Sequence, residues 1–409
     1  VKRRKILVLT NHYPPYHIGG YEVACLDVVE RLCKRGYDIQ VLTSRYGPPN
    51  FQEDGQVRVL RKLSLWGESN GGKRRPSLGW FELRESVVLK KILAEFQPDW
   101  IYLWNMQRLA GSLVQMIQRQ RIPVVFSLFG YWPLEETEYD AWVRHWMSPA
   151  QRQFSGLAKS LIRKFINHFL PLEQEKPPLE YVHFCSQSVM KYYKDKGITP
   201  RRSEVIYPGV DTQTFVPNPS SKNGGGLRLL YAGQIIPHKG IQTILEALEI
   251  LIRRRTPQRI NLTIVGPEVI PDYAKALKNF IREHHLESWV ELKPQIPRQQ
   301  LIPFYQSHDA FIFSSNYAEP FAIVVLEAMA CGLPIIGTPV GGQVEIFRDG
   351  FNCLTFPAND AGALAHQIEH FCKNPELRLQ LGREARKTVL ERFGIENTIH
   401  QIERFLNAI

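Results

Sequence analysis

The chain has 409 residues, enough for two domains of ordinary size, and its 44% hydrophobic and 22% charged content excludes a disordered protein. No run of eighteen apolar residues predicts a membrane-spanning helix, and six scattered cysteines imply neither a disulfide framework nor a zinc site, as in a reduced cytosolic protein. The net charge of +11 is lopsided: residues 1–215 carry 31 Lys and Arg against 21 Asp and Glu, which points to an anionic partner or simply to a solvated basic surface.

The opening "VKRRKILVLT" is basic but runs directly into a short strand-type segment, so it does not read as a signal peptide. Helical spacing follows in "YEVACLDVVERLCKRG", stopped by Gly36, and then a strand in "YDIQVLTS". Helix "RESVVLKKILAEF", strand "DWIYLW", helix "AGSLVQMIQRQR" and strand "IPVVFSLFG" continue the alternation. Strands alternating with helices at this pace predict a parallel sheet covered on both faces. A Pro/Ser/Asn/Gly stretch at 218–226 has linker composition. Beyond it come strand "LRLLYAG", helix "IQTILEALEILIRR" and strands "INLTIVG" and "HDAFIFSS", a second α/β domain. In doubly wound sheets ligands bind outside the carboxyl ends of the strands, so chemistry is sought in the loops that follow them.

One such loop leads into "EPFAIVVLEA", with carboxylates at Glu319 and Glu327 around an apolar run. Pro320 predicts a helix starting there, with Glu319 in the entering loop and Glu327 about two turns inside. Two readings stand: a core helix with a charged start, or a ligand site at a helix N-terminus. Glycine-rich turns also follow strands, in "HIGG", "YAGQIIPHKG", "IVGP" and "PVGG". Lys239, between a strand and a helix, is placed either to meet a phosphate or to be a plain surface lysine.

Two motifs fail. "GESNGGK" at 67–73 has P-loop spacing, but Arg74 stands where Ser or Thr must ligate Mg²⁺. No G-x-G-x-x-G occurs, which argues against a dinucleotide dehydrogenase. Asp-x-Asp is also absent, so no metal-binding carboxylate pair is expected for a diphosphate.

Taken together, "EVIYPGVDTQTF", "YAGQIIPHKG", the run from "FIFSSNYAEPF" to "GFNCLTF" and "LGREARKTVLERF" resemble the retaining glycosyltransferases of family 4. "YPPYHIGGYEVACLDVVERLCKRGYDIQVLT" looks like that family's opening β–α–β unit, so the resemblance covers most of the chain. It implies the α/β GT-B fold, two doubly wound Rossmann-like domains facing across a cleft. Residues 1–215 would form an acceptor domain, with a C-terminal helix at about 393–409 packing back on it, and 216–392 a nucleotide-sugar donor domain.

The resemblance also implies roles. Glu319 would face the donor sugar, the backbone of Phe321, Ala322 and Ile323 would meet sugar and diphosphate, and Glu327 would bind the ribose. Lys239 would neutralise the leaving diphosphate in place of a metal, with Gly233, Gln234 and Gly266 lining the donor site. The base would lie against Pro294, Gln295 and Ile296, and Gly19 and Gly20 would let the first domain's backbone approach the reaction centre. Two residues depart from the pattern: Gln234 replaces the usual Arg, and Phe129 stands where a His is expected, with His17 or Tyr131 as substitutes for it.

The implied activity is a metal-independent transfer of a hexose, with UDP-glucose the favoured donor, to a hydroxyl in polysaccharide or glycolipid assembly. No cofactor beyond that substrate and no nucleic-acid partner is expected. The rivals are a catalytically impaired nucleotide-sugar binder and a GT-B epimerase or phosphorylase. Segment 142–170 joins aromatic, aliphatic and basic residues with no acidic one, and reads either as a helix packed on its own domain or as one docking on anionic lipid. The expected location is cytoplasmic, with peripheral attachment to the inner face of a membrane as the variant.

Overall fold

The computed structural model describes residues 3–16, 19–47, 57–65, 78–134, 179–218, 226–255 and 259–409. The chain divides into two compact units, one of Val1–Phe184, Val189–Val205 and Glu403–Ile409, the other of Cys185–Ser188 and Ile206–Ile402. The division thus falls at 205/206 and 402/403, where the sequence suggested 215/216 and about 393.

In the first unit the elements are β1 (Lys5–Leu9), α1 (Gly20–Lys34), β2 (Asp38–Ser44), β3 (Arg58–Leu63), α2 (Leu78–Phe96), β4 (Trp100–Leu103), α3 (Gly111–Gln118), β5 (Val124–Leu128), β6 (Tyr181–Phe184), α4 (Gln187–Asp195) and β7 (Arg202–Val205). The strands form one parallel sheet in the order β3-β2-β1-β4-β5-β6-β7. The central strands β1, β4 and β5 are buried on both faces, which is why they read as unbroken apolar runs. β3 and β7 are edge strands with mixed exposure and carry no such signal.

The second unit continues with β8 (Leu227–Ala232), a 3₁₀ turn at Pro237–Lys239, α5 (Ile241–Arg253), β9 (Ile260–Val265), α6 (Pro271–Glu283), β10 (Val290–Lys293), α7 (Arg298–Ser307), β11 (Ala310–Phe313), α8 (Ile323–Ala330), β12 (Ile335–Gly337), a 3₁₀ turn at Gly341–Glu345, β13 (Cys353–Thr355), α9 (Ala361–Lys373), α10 (Pro375–Arg392) and α11 (Ile395–Asn407). Its parallel sheet runs β10-β9-β8-β11-β12-β13. On α5, Ile241, Ile244, Leu245, Leu248 and Leu251 recur at helical spacing and are buried with Leu229, Ile264, Ile312 and Leu364. Each such side chain contributes roughly 1.5–3 kcal/mol. The strand order reverses between β8 and β11, so the loops leaving these two neighbours flank the crevice where doubly wound sheets hold ligands.

α11 ends among the first unit's residues: Glu403 pairs with Arg35, and Arg202 donates to the Ala408 carbonyl at 3.0 Å.

Candidate active site

The loop after β8 carries Gly233, Gln234 and the 3₁₀ turn that ends at Lys239, and the loop after β11 carries Ser314 to Ala322. The two loops are sewn together by their own groups. Ser314 Oγ donates to the Lys239 carbonyl at 2.8 Å, and Ser315 Oγ to the His238 carbonyl at 3.0 Å. Glycine makes this closeness possible. A Cβ on Gly240 (φ +70°) would lie 1.9 Å from the Ser314 carbonyl oxygen, and one on Gly266 would lie 1.8 Å from the carbonyl oxygen of Gly233. At Gly19, by contrast, an added Cβ would meet only Glu22 Oε2, at an ordinary 3.8 Å.

The stitched loops place Lys239 Nζ on Glu319 Oε1 in an ion pair. Ser315 Oγ also lies 2.9 Å from that oxygen, and Glu319 is only 7% exposed. A carboxylate so far removed from water needs such partners, because an unpaired buried charge is costly. His238, next to Lys239, has its pKa lowered by burial and then by the neighbouring ammonium, which favours the neutral ring.

The helix after Glu319 starts later than Pro320 suggested. α8 begins at Ile323, with Ala322 extended before it (φ −92°, ψ 103°). Residues 319–322 are pinned in that extended path from outside. Gly342 N–H donates to the Glu319 carbonyl at 2.8 Å, Ser186 Oγ to the Pro320 carbonyl at 2.9 Å, and Ala322 N–H to Gln343 Oε1 at 3.0 Å. Glu327 is consequently the fifth residue of α8, a little over one turn in.

α8 is buried almost all round, and Glu327 is 2% exposed inside it. Arg298 Nε donates to its Oε1 and Tyr305 Oη donates to its Oε2 at 2.9 Å. The guanidinium in turn lies 5.1 Å from the Phe215 ring centre. Burial first, and then the Glu327 charge, holds the Tyr305 hydroxyl well above its ordinary pKa, so it stays a donor. Arg298 opens α7 directly after the loop Pro294–Pro297, in which Pro294 and Gln295 are exposed and Ile296 half-buried.

The sequence singled out Glu319, Lys239, Gly233, Phe321, Ala322, Ile323 and Glu327, which all lie in the loops or helix just described, with Gln234 half-buried beside them, and Gly266, which follows β9 and packs on Gly233. It did not single out Ser315, Gln343, Arg298 or Tyr305, whose roles depend on contacts across elements.

Gly19 and Gly20 lie in the first unit, where Gly19 precedes α1 and donates its N–H to Glu22 Oε2 at 2.9 Å. Phe129 stacks on Tyr21 (centroids 5.3 Å apart, planes 20° apart) and packs 5.3 Å from Trp104, so an aromatic cluster occupies the place where a His was expected. Tyr131 is buried against Tyr192 at 4.3 Å, and His17 lies outside the described residues.

Comparison with known proteins agrees with this architecture. A model described as glycosyl transferases group 1 matches residues 212–388, and one described as glycosyltransferase family 4 matches residues 18–214. The chain belongs to glycosyltransferase family 4, of the GT-B class. A D-inositol 3-phosphate glycosyltransferase of Pseudarthrobacter chlorophenolicus is 30% identical over 191 residues, 45% of each protein. The chain therefore spans a little under half the length of that relative. A glycosyltransferase from Rickettsia africae superposes with a TM-score of 0.75 at 17% identity, covering 100% of this chain and 99% of that one. Anabaena Alr3699/HepE in complex with UDP-glucose superposes with a TM-score of 0.73 at 20% identity, covering 99% and 100%.

Proposed function

We propose that this family member is a retaining, metal-independent hexosyltransferase that takes glucose from UDP-glucose and passes it to an acceptor hydroxyl. The observation that carries the reading is the Lys239–Glu319 pair at the switch point of the second sheet, beside the start of α8. It combines an acceptor for sugar hydroxyls, a cation for a departing diphosphate and a helix N-terminus that favours an anion. The Anabaena neighbour is a complex with UDP-glucose, which supports the same choice of donor.

On this reading Glu319 holds the sugar, and Lys239 moves toward the diphosphate as negative charge develops on the leaving oxygen. The backbone of Phe321 to Ile323 meets sugar and diphosphate, with the Ala322 N–H itself held by Gln343, and Pro294 to Ile296 hold the base. Glu327, oriented by Arg298 and Tyr305, serves the ribose in this reading. Gln234 adds a neutral contact in place of a cation. Residues 216–392 act as the donor domain and residues 1–215, with Gly19 and Gly20, as the acceptor domain. No side chain is assigned as a covalent nucleophile, so the departing phosphate assists the incoming hydroxyl on the same face.

The acceptor is a sugar of polysaccharide or glycolipid assembly, reached from the cytoplasmic face of a membrane. Segment 142–170, which lies outside the described residues, is the proposed lipid contact, at about 1 kcal/mol for each basic side chain near an anionic surface. Salt-sensitive binding to phosphatidylserine vesicles, weakened by Arg163→Glu with Lys164→Glu, tests that part.

The central test is a thermal-shift screen of UDP-, GDP- and ADP-sugars, followed by detection of UDP release that depends on an acceptor sugar. Stabilisation by UDP-glucose with acceptor-dependent release supports transfer. Tight binding without turnover supports the nucleotide-sugar binder instead, a reading favoured by the aromatic cluster at Phe129.

A further inference from the structure

The loop that carries Glu319 is clamped by the 3₁₀ turn Gly341–Glu345. A Cβ on Gly341 would lie 2.1 Å from the Glu319 carbonyl oxygen and one on Gly342 would lie 2.3 Å from that of Pro320, so the two segments touch backbone to backbone. The next residue, Gln343, is 0% exposed and presents Oε1 to the Ala322 N–H at 3.0 Å. A backbone N–H can only meet an oxygen here, and this fixes which way the amide is turned. Its NH₂ group is the other branch of the same carbon. Nε2 is buried and finds no hydrogen-bond partner among the described residues.

A buried donor without an acceptor is unfavourable, and an aliphatic side chain of similar size would avoid the penalty. The cap on Ala322 uses only the oxygen, so capping leaves the NH₂ unexplained. Its position supplies a reason. Ala322 is the residue before α8 and three positions after Glu319, so the amide is tied to the helix N-terminus in the same loop that carries the carboxylate assigned to the sugar.

We propose that Gln343 is a donor-binding residue: Nε2 donates to a hydroxyl oxygen of the sugar carried by the nucleotide, while Oε1 holds Ala322. This rests on the function proposed above. A hydroxyl both donates and accepts, so Glu319 receiving one hydroxyl proton and Gln343 giving a proton to a hydroxyl oxygen are complementary demands. Sites that pair each sugar oxygen in this way discriminate against sugars lacking it.

The experiment compares the affinities of UDP and UDP-glucose, by calorimetry, for wild type, Gln343→Glu and Gln343→Leu. Glu keeps an oxygen for the Ala322 N–H and removes the NH₂, and Leu removes both. The expected result is that the preference for UDP-glucose over UDP falls roughly tenfold in both variants. An unchanged preference in both variants would show a capping role alone and overturn the inference. Absence of wild-type binding to UDP-, GDP- and ADP-sugars would overturn the inference together with the function it rests on, so the two failures are distinguishable.

Discussion

Lys239 and Glu319 form an ion pair although 80 positions separate them, because they leave neighbouring strands of one parallel sheet at the same end. Each is therefore the other's counter-charge as well as a candidate reacting group. Glu319→Ala is expected to abolish transfer while UDP still binds. Lys239→Ala should cut kcat on the order of a hundredfold, with a smaller change in donor affinity. Both single variants should also melt earlier, since each leaves a partly buried charge without its partner, and the double variant should lose less than the two losses added. Kinetics with calorimetric unfolding on all four proteins checks this; strictly additive stability losses would mean that the pair is not coupled.

Glu327→Ala should show a different signature, because the carboxylate is already held by Arg298 and Tyr305. Removing it strands a guanidinium that is itself largely buried, so a stability loss of about 3–5 kcal/mol is expected. Glu327→Gln keeps an acceptor and should lose less. UDP affinity should fall in both, by roughly 1–3 kcal/mol for a lost charge-assisted contact. Urea unfolding alongside UDP titration separates the two effects, and a fully stable Glu327→Ala would show that Arg298 has other support.

Much of the fold was legible because the central strands are covered on both faces: "ILVL", "WIYL" and "AFIF" are buried throughout. The strands that went unread include β3, β7 and β10, which are at sheet edges, partly exposed and interrupted by charge. β6 was hidden differently, by His183 within a buried strand. At the site, the Glu-x₇-Glu spacing and Lys239 could be read directly. The late start of α8 could not, because it depends on Ser186 and Gln343, more than 130 positions before Pro320 and 21 after Ala322. Sequence patterns report burial along one element; they do not report which distant side chain holds a loop open.

Addition of EDTA should leave turnover nearly unchanged. The sequence has no Asp-x-Asp pair, and the proposed charge on the leaving diphosphate is met by Lys239 and the start of α8. Initial rates before and after chelation, and with Mg²⁺ or Mn²⁺ restored, decide the matter. Complete loss on chelation with rescue by either ion would overturn the metal-independent reading.

His183 should make folding sensitive to mild acid. It lies on β6, one strand in from the edge of the first sheet, hydrogen-bonded through Nε2 to the Tyr102 hydroxyl and bordered by Trp104 and Phe405. Burial lowers its pKa from 6.5 to about 3, a shift that the charge of Glu204 only partly opposes. The folded state thus keeps the ring neutral where the unfolded chain takes up a proton. Stability from this group is complete above the unfolded pKa of 6.5 and is lost as pH falls toward 3. Between pH 7 and pH 5 the loss should be about 2 kcal/mol. His183→Phe removes the titrating group and should flatten that part of the profile, even though it leaves the Tyr102 hydroxyl without its ring partner and lowers stability at pH 7. Urea midpoints for both proteins at pH 7.5, 6, 5.5 and 5 provide the test. An unchanged slope in His183→Phe would place the acid sensitivity elsewhere.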